Sequence, residues 1–212
     1  MTAGPDSAAD LGARADVERR EATRELVEAT RALMLAVTVT DTDVETLRAV
    51  CDDIQVSMRT LGARTRPRAT RVPFDRPGRA RIDGEPWTMS AFNPTAPAFD
   101  VVFGEHDARA RLVANALYEG PPDNVHGGVG AHLMDCMLGV LLQAQGRRSV
   151  TATLDLRYLR RTPLDEPLDL YSRIVETRGR KTVAEGWIEH AGTRTVEARG
   201  LFVEVPAPTR TP

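Results

Sequence analysis

The stretch Asn124-Val125-His126-Gly127-Gly128-Val129-Gly130-Ala131-His132-Leu133-Met134-Asp135 decides how the rest of this chain is read. Glycines open an apolar helix, and one carboxylate, Asp135, sits inside it. A helix N-terminus presents free backbone N–H groups and the positive end of the helix dipole, so it can hold a developing oxyanion. A carboxylate on an apolar helix is costly unless it has a partner or a task. The helix continues to about Ala144, with Leu133, Met134, Met137, Leu138, Val140, Leu141 and Leu142 on nearly every side. A helix that is apolar all round must be enclosed by other structure.

What encloses it is predicted on both sides of the motif. Phe99 to Glu105 and Ala108 to Ala116 read as two short strands turning around Gly104 to Asp107. A turn-rich loop, Tyr118 to Asn124, leads into the helix. Four strand-like runs follow it: Val150 to Leu159, Leu168 to Glu176, Thr182 to His190 and Thr195 to Val205. In the first of them Ala152, Leu154, Leu156 and Tyr158 alternate with Thr151, Thr153, Asp155 and Arg157, the pattern of a strand with one wet face. The expected fold is α+β, an antiparallel sheet wrapped around one central helix. Expected boundaries are 1–64 for an N-terminal helical extension, 65–90 for a linker, 91–206 for the sheet-and-helix domain and 207–212 for a tail.

The extension reads as an α-hairpin. Its first helix spans about Ala15 to Val37 and is interrupted by the β-branched run Val37 to Thr40. Its second starts after Thr42, which with Glu45 matches a capping box, and carries the stripe Val44, Leu47, Cys51, Ile54, Met58 and Leu61. That stripe is expected to pack on its own domain or on a second subunit. The linker carries Arg64, Arg66, Arg68, Arg71, Arg76 and Arg79, broken by Pro67, Pro73 and Pro77, a composition that resists regular structure.

Composition narrows the function. With 28 basic and 30 acidic residues the net charge is -2, and aromatics are 5% of the 212 residues. Neither a basic footprint nor a base-stacking platform is present, so nucleic-acid partners are not expected. Met1 to Asp10 has no apolar h-region, and Leu133 to Leu142 is too short to span a bilayer, so a cytoplasmic protein without a membrane span is expected. Cys51 and Cys136 read as small buried hydrophobes rather than a disulfide framework. His106, His126, His132 and His190 show no metal-ligand spacing. The chain has no phosphate-loop lysine, no G-x-G-x-x-G and no G-x-S-x-G elbow.

The element order, with Val125-His126-Gly127-Gly128-Val129 and an acid nine positions after the histidine, resembles the hotdog-fold acyl-CoA thioesterases of the PaaI-like group. The resemblance covers roughly Phe99 to Val205. Glu119-Gly120-Pro121-Pro122 and Val150-Thr151-Ala152-Thr153-Leu154 resemble one branch, which includes mammalian mitochondrial acyl-CoA thioesterases. It implies a homodimer, often paired again into a tetramer, with sites built from both subunits. It implies an acyl-CoA substrate and no cofactor beyond the coenzyme A that the substrate carries.

Carried onto this sequence, Asp135 would be nucleophile or general base, and the Gly127 N–H the donor to the thioester oxygen. His126 would shape the turn and contact substrate, and Thr151 would orient the attacking water. Asn124 and Gly128 lie beside these at the helix entrance and are assigned to substrate binding. Arg160, Arg161, Arg178, Arg180 and Lys181 lie in turns where their cations suit coenzyme A phosphates. The chain departs from the group at position 120, where many members place Asn six residues before the histidine and this chain has Gly120. For Asp135 the structural alternative is a carboxylate satisfied by His132. For the whole chain the alternative is a dimer that binds an acyl-CoA or another apolar ligand without hydrolysis. A hotdog dehydratase is a weaker one, since no Asp/His pairing for it is visible.

Overall fold

A computed structural model describes residues 8–70 and 72–206, with side chains from Arg14 onward. Arg71 of the arginine series and the tail 207–212 lie outside the described residues. Seven strands form one antiparallel sheet in the order β1-β2-β3-β5-β6-β7-β4. These are β1 (Trp87–Met89), β2 (Phe99–Phe103), β3 (Asp107–Val113), β4 (Ser149–Tyr158), β5 (Pro167–Arg178), β6 (Lys181–His190) and β7 (Thr193–Glu204). The helix α4 (Gly127–Ala144) follows β3 in sequence and crosses the inner face of the sheet. The chain then enters β4 at the far edge, and β5 returns to pair with β3. This is the hotdog arrangement expected from the sequence.

The alternation of β3, where Ala108, Ala110 and Leu112 are buried and their neighbours exposed, aims one face of the sheet at the helix. Against that face lie Leu133, Met134, Met137, Leu138, Leu141 and Leu142, each at most 1% exposed. Each such side chain contributes about 1.5–3 kcal/mol on burial. By length and composition α4 could cross a membrane, yet half of it is buried inside the fold. It is the core helix of the sheet that wraps it.

Close approach of helix and sheet depends on Gly186. A Cβ there would lie 2.8 Å from the Tyr171 carbonyl oxygen and 3.3 Å from both Leu138 and Met134. The carbonyl belongs to the paired strand β5 and cannot swing aside. We expect Gly186→Ala to cost about 1–3 kcal/mol through overpacking. At about 2–4 °C per kcal/mol for a chain of this size, calorimetry will show a drop of several degrees.

The segment expected to lack regular structure holds a helix, α3 (Arg76–Asp83). Here proline starts a helix rather than breaking one. Pro77 occupies the first turn of α3, where no backbone N–H is needed, and Gly84 closes the helix at φ 72°. Arg81 Nε donates to the Ala144 carbonyl at 3.1 Å, and Gln143 Nε2 donates to the Phe74 carbonyl at 3.0 Å. The segment therefore caps the C-terminal end of α4. The short strand β1 was not anticipated either, since its three residues gain their form from pairing with β2.

The N-terminal helices are α1 (Ala8–Val39) and α2 (Val44–Gly62). The β-branched run at Val37 does not shorten α1, which continues to Val39. The cap of α2 is Asp43 rather than Thr42. Its carboxylate accepts from the Thr46 N–H and hydroxyl, both at 2.9 Å, and these bonds hold the Asp43 carboxyl below the usual carboxylate range. α1 is tied to the body through buried Val27 and through Arg31, which donates to the Ser90 and Asn93 carbonyls at 2.6 and 2.8 Å. The stripe of α2 is not covered within one chain: no residue of α2 is buried. Cys51 is accordingly exposed and Cys136 half-buried, and both are free, which corrects the expectation of two buried thiols.

Candidate active site

The turn into α4 leaves one donor free. His126 is the N-cap, and its Nδ1 accepts from the Gly128 N–H at 3.0 Å. The Val129 and Gly130 N–H groups donate to the His126 carbonyl at 2.9 and 3.1 Å. Among the described residues the Gly127 N–H has no acceptor. It is the donor that the end of the helix can offer to an incoming carbonyl oxygen. The loop before it is fastened by His126 N–H to the Tyr118 carbonyl and Val125 N–H to the Thr162 carbonyl, each at 2.8 Å. His126 thus serves the turn through its imidazole. Gly128 has its N–H committed to that cap.

Tyr158, which the sequence reading placed only in an apolar row, belongs to this end. Its hydroxyl donates to the Gly127 carbonyl at 2.8 Å and its ring flanks the Gly127 Cα. The signal was an inner-face alternation ending in a residue with a polar tip. A cavity of about 410 Å³ opens here, lined by Asn124, His126, Gly127, Tyr158, Arg160 and Arg161. Asn124 is buried, and its side-chain amide donates to the Pro122 carbonyl at 2.6 Å, so it braces the loop.

Gly120 has a steric cause. A Cβ at this position would come within 2.7 Å of the His126 Cα. An asparagine does not fit without displacing the turn that presents Gly127. In this loop any water-positioning group must come from elsewhere.

Asp135, on α4, is held by Thr151 at the start of β4, whose Oγ1 donates to Asp135 Oδ1 at 2.8 Å. Simple alternation puts Thr151 on the wet face of β4. A bulge intervenes: Thr151 pairs with Phe202 and Thr153 with Leu201, leaving Ala152 without a counterpart. The phase of the strand reverses, and Thr151 faces the helix with Leu154, Leu156 and Tyr158. His132 does not satisfy Asp135; its ring contacts Cys136 Sγ at 3.6 Å. Burial, and then the Asp135 carboxylate, push the Cys136 thiol up to about 11. It stays a neutral thiol at physiological pH and is no competing nucleophile.

Gly127 and Asp135 do not meet in one chain. Eight residues of helix separate them by about 12 Å along the axis. The cations divide in the same way. Arg160 and Arg161 share the Gly127 cavity. Arg178, Arg180 and Lys181 lie at the β5–β6 hairpin, which the register of β7 places beside the start of β4, at the Asp135 end. Arg180 donates to the Glu204 carbonyl at 3.1 and 2.7 Å, and Arg178 pairs with Glu176 at 3.0 Å. One helix thus carries two separate groups of candidate residues, one at its start and one around Asp135.

Residues 123–197, from the loop before α4 into β7, match the family model described as the Thioesterase superfamily. Among solved structures, protein RHA08564, a thioesterase superfamily protein, is 30% identical with a TM-score of 0.73, the match covering 85% of this chain and 94% of that one. That share is larger than the whole of residues 87–212, so the likeness reaches into the N-terminal helices. A hypothetical thioesterase of Streptococcus pneumoniae TIGR4, solved with coenzyme A, is 18% identical with a TM-score of 0.49, over 52% of this chain and 91% of that one. The E. coli PaaI protein from the phenylacetic acid degradation operon is 18% identical with a TM-score of 0.48, over 50% of this chain and 82% of its own.

Proposed function

The chain belongs to the thioesterase superfamily, and from that premise we propose that it hydrolyses acyl-CoA thioesters to a free acid and coenzyme A. The observation that carries the reading is the pairing of half-sites on α4: a free Gly127 N–H at its start and an Asp135 carboxylate held by Thr151 further along. Two copies related by a two-fold axis, with their central helices antiparallel, bring Gly127 of each to Asp135 of the partner subunit. The proposed working unit is therefore a homodimer, with two sites across its interface.

The chemistry follows from these groups. The thioester oxygen accepts from the Gly127 N–H, which strengthens its bond as negative charge develops there. The carboxylate takes a proton from water, whose oxygen attacks the carbonyl carbon, or attacks that carbon itself to give an anhydride that water opens. In the first course the C–S bond breaks and the coenzyme A thiolate takes up the proton the carboxylate received; in the second the thiolate leaves as the anhydride forms and takes up the proton released when water opens it. The thiolate leaves readily, so no strong general acid and no cofactor is required. Thr151 fixes the orientation of the carboxylate. Arg160 and Arg161 supply the cations on the Gly127 side for the coenzyme A phosphates.

A thiol-release assay over short, medium, long and aromatic acyl-CoAs tests the proposal. Turnover with a defined chain preference is the expected result. Arg160→Ala with Arg161→Ala should raise KM about tenfold, as loss of a phosphate contact does, and leave kcat within twofold. Tight binding without thiol release at any chain length would identify a binding module instead.

A further inference from the structure

A second cavity, of about 530 Å³, lies one helical turn beyond Asp135 and is lined by Phe74, Gly139, Gln143, Arg147, Val150 and Val205, among others. Gly139 follows Asp135 by four residues and so shares its helix face. A Cβ at Gly139 would meet nothing within 4 Å. The helix therefore carries a glycine where no neighbour demands one, beside a cavity whose lining includes Gly139, one turn on from Asp135, and Val150, the neighbour of Thr151. The far end is closed by Phe74. Its carbonyl accepts from Gln143 Nε2 at 3.0 Å, and the Arg148 guanidinium lies 4.2 Å from its ring centroid.

Resting on the thioesterase reading, we propose that this groove takes the acyl group of the substrate, an apolar chain of medium length, with Gly139 keeping it open and Phe74 setting its end. From Asp135 to Gln143 the helix rises about 12 Å, the span of an extended acyl chain of about ten carbons. The cations at the rim are engaged: Arg147 pairs with Glu204 at 3.7 Å and Arg148 covers Phe74. The arginine- and proline-rich segment, which lies outside the thioesterase family match, thereby acquires a role as the gauge of chain length.

The test uses the full chain and coenzyme A thioethers, which cannot be hydrolysed, carrying ethyl, octyl or tetradecyl groups. Titration calorimetry should show octyl-CoA binding at least tenfold more tightly than ethyl-CoA. Gly139→Leu should weaken octyl-CoA at least tenfold and change ethyl-CoA less than twofold. Phe74→Ala should improve tetradecyl-CoA at least fivefold, and it carries the test independently if the leucine variant does not fold. Octyl-CoA binding no better than ethyl-CoA, or both folded variants changing every chain length equally, would overturn the groove. Absence of thiol release at all lengths, with the binding series still sorted by length, would remove the thioesterase reading and leave the groove standing.

Discussion

Asp135→Asn should lower kcat for acyl-CoA hydrolysis about 1,000-fold, within the range that a positioned base contributes. The substitution is nearly isosteric. Its side-chain oxygen can still accept from the Thr151 hydroxyl, which now reaches Asp135 Oδ1 at 2.8 Å. The core beneath it is apolar and untouched, so the melting midpoint should stay within a few degrees and KM within about threefold. Loss of kcat alone is what removal of a group acting in the transition state produces. A folded variant retaining more than a tenth of wild-type turnover would show that another residue supplies the base or nucleophile.

The second large effect comes from removing a single hydrogen-bond donor. Gly127 is the first residue of α4, and His126 before it has φ -59° and ψ 134°. Proline is tolerated at a helix's first position, and it requires an extended residue in front of it. Gly127→Pro therefore deletes the free N–H with little demand on the backbone, although the new Cβ will press lightly on Tyr158, 3.4 Å away. Loss of one oxyanion donor costs about 2.7–4 kcal/mol, which is about 100- to 1,000-fold in kcat. Combining this variant with Asp135→Asn gives a further result. Refolded together from denaturant in equal amounts, the two inactive proteins should regain about a quarter of wild-type activity. Half of the dimers are then mixed, and each mixed dimer has one site with both groups intact. Recovery below a few per cent, with mixed dimers shown by mass spectrometry, would mean that the two residues do not serve a shared site.

The sequence made the central architecture legible because its signals were local and repeated. Leu133 to Leu142 left no polar side for a surface helix, and glycine-containing turns between alternating runs marked the β5–β6–β7 hairpins. The His126–Gly127 entrance and Asp135 stand out in the sequence as a glycine-opened helix start and a carboxylate on an apolar helix, with roles implied by the family resemblance, and the structure gives the first its free N–H and the second its Thr151 bond. What escaped depends on pairing or proximity. Thr151 turns inward because of a bulge at Ala152, which only the partner strand reveals. Gly120 is dictated by the Cα of His126, six residues away and folded back on it. Pro77 looked like a breaker and is a helix start. The stripe on α2 announces an apolar face but not what lies opposite it, and among the described residues none of α2 is buried.

The two edges of the sheet are unlike each other. One ends in β1, three residues long, too short to template a further strand. The other is β4, ten residues long, with the bulge near its beginning. In the language of assembly, such a sheet is monovalent. A copy that paired through β4 would use up the longer of the two edges among the described residues. The interruption at Ala152 also admits one register and penalises slippage. Growth through such a pairing would stop at two chains rather than propagate as a ribbon.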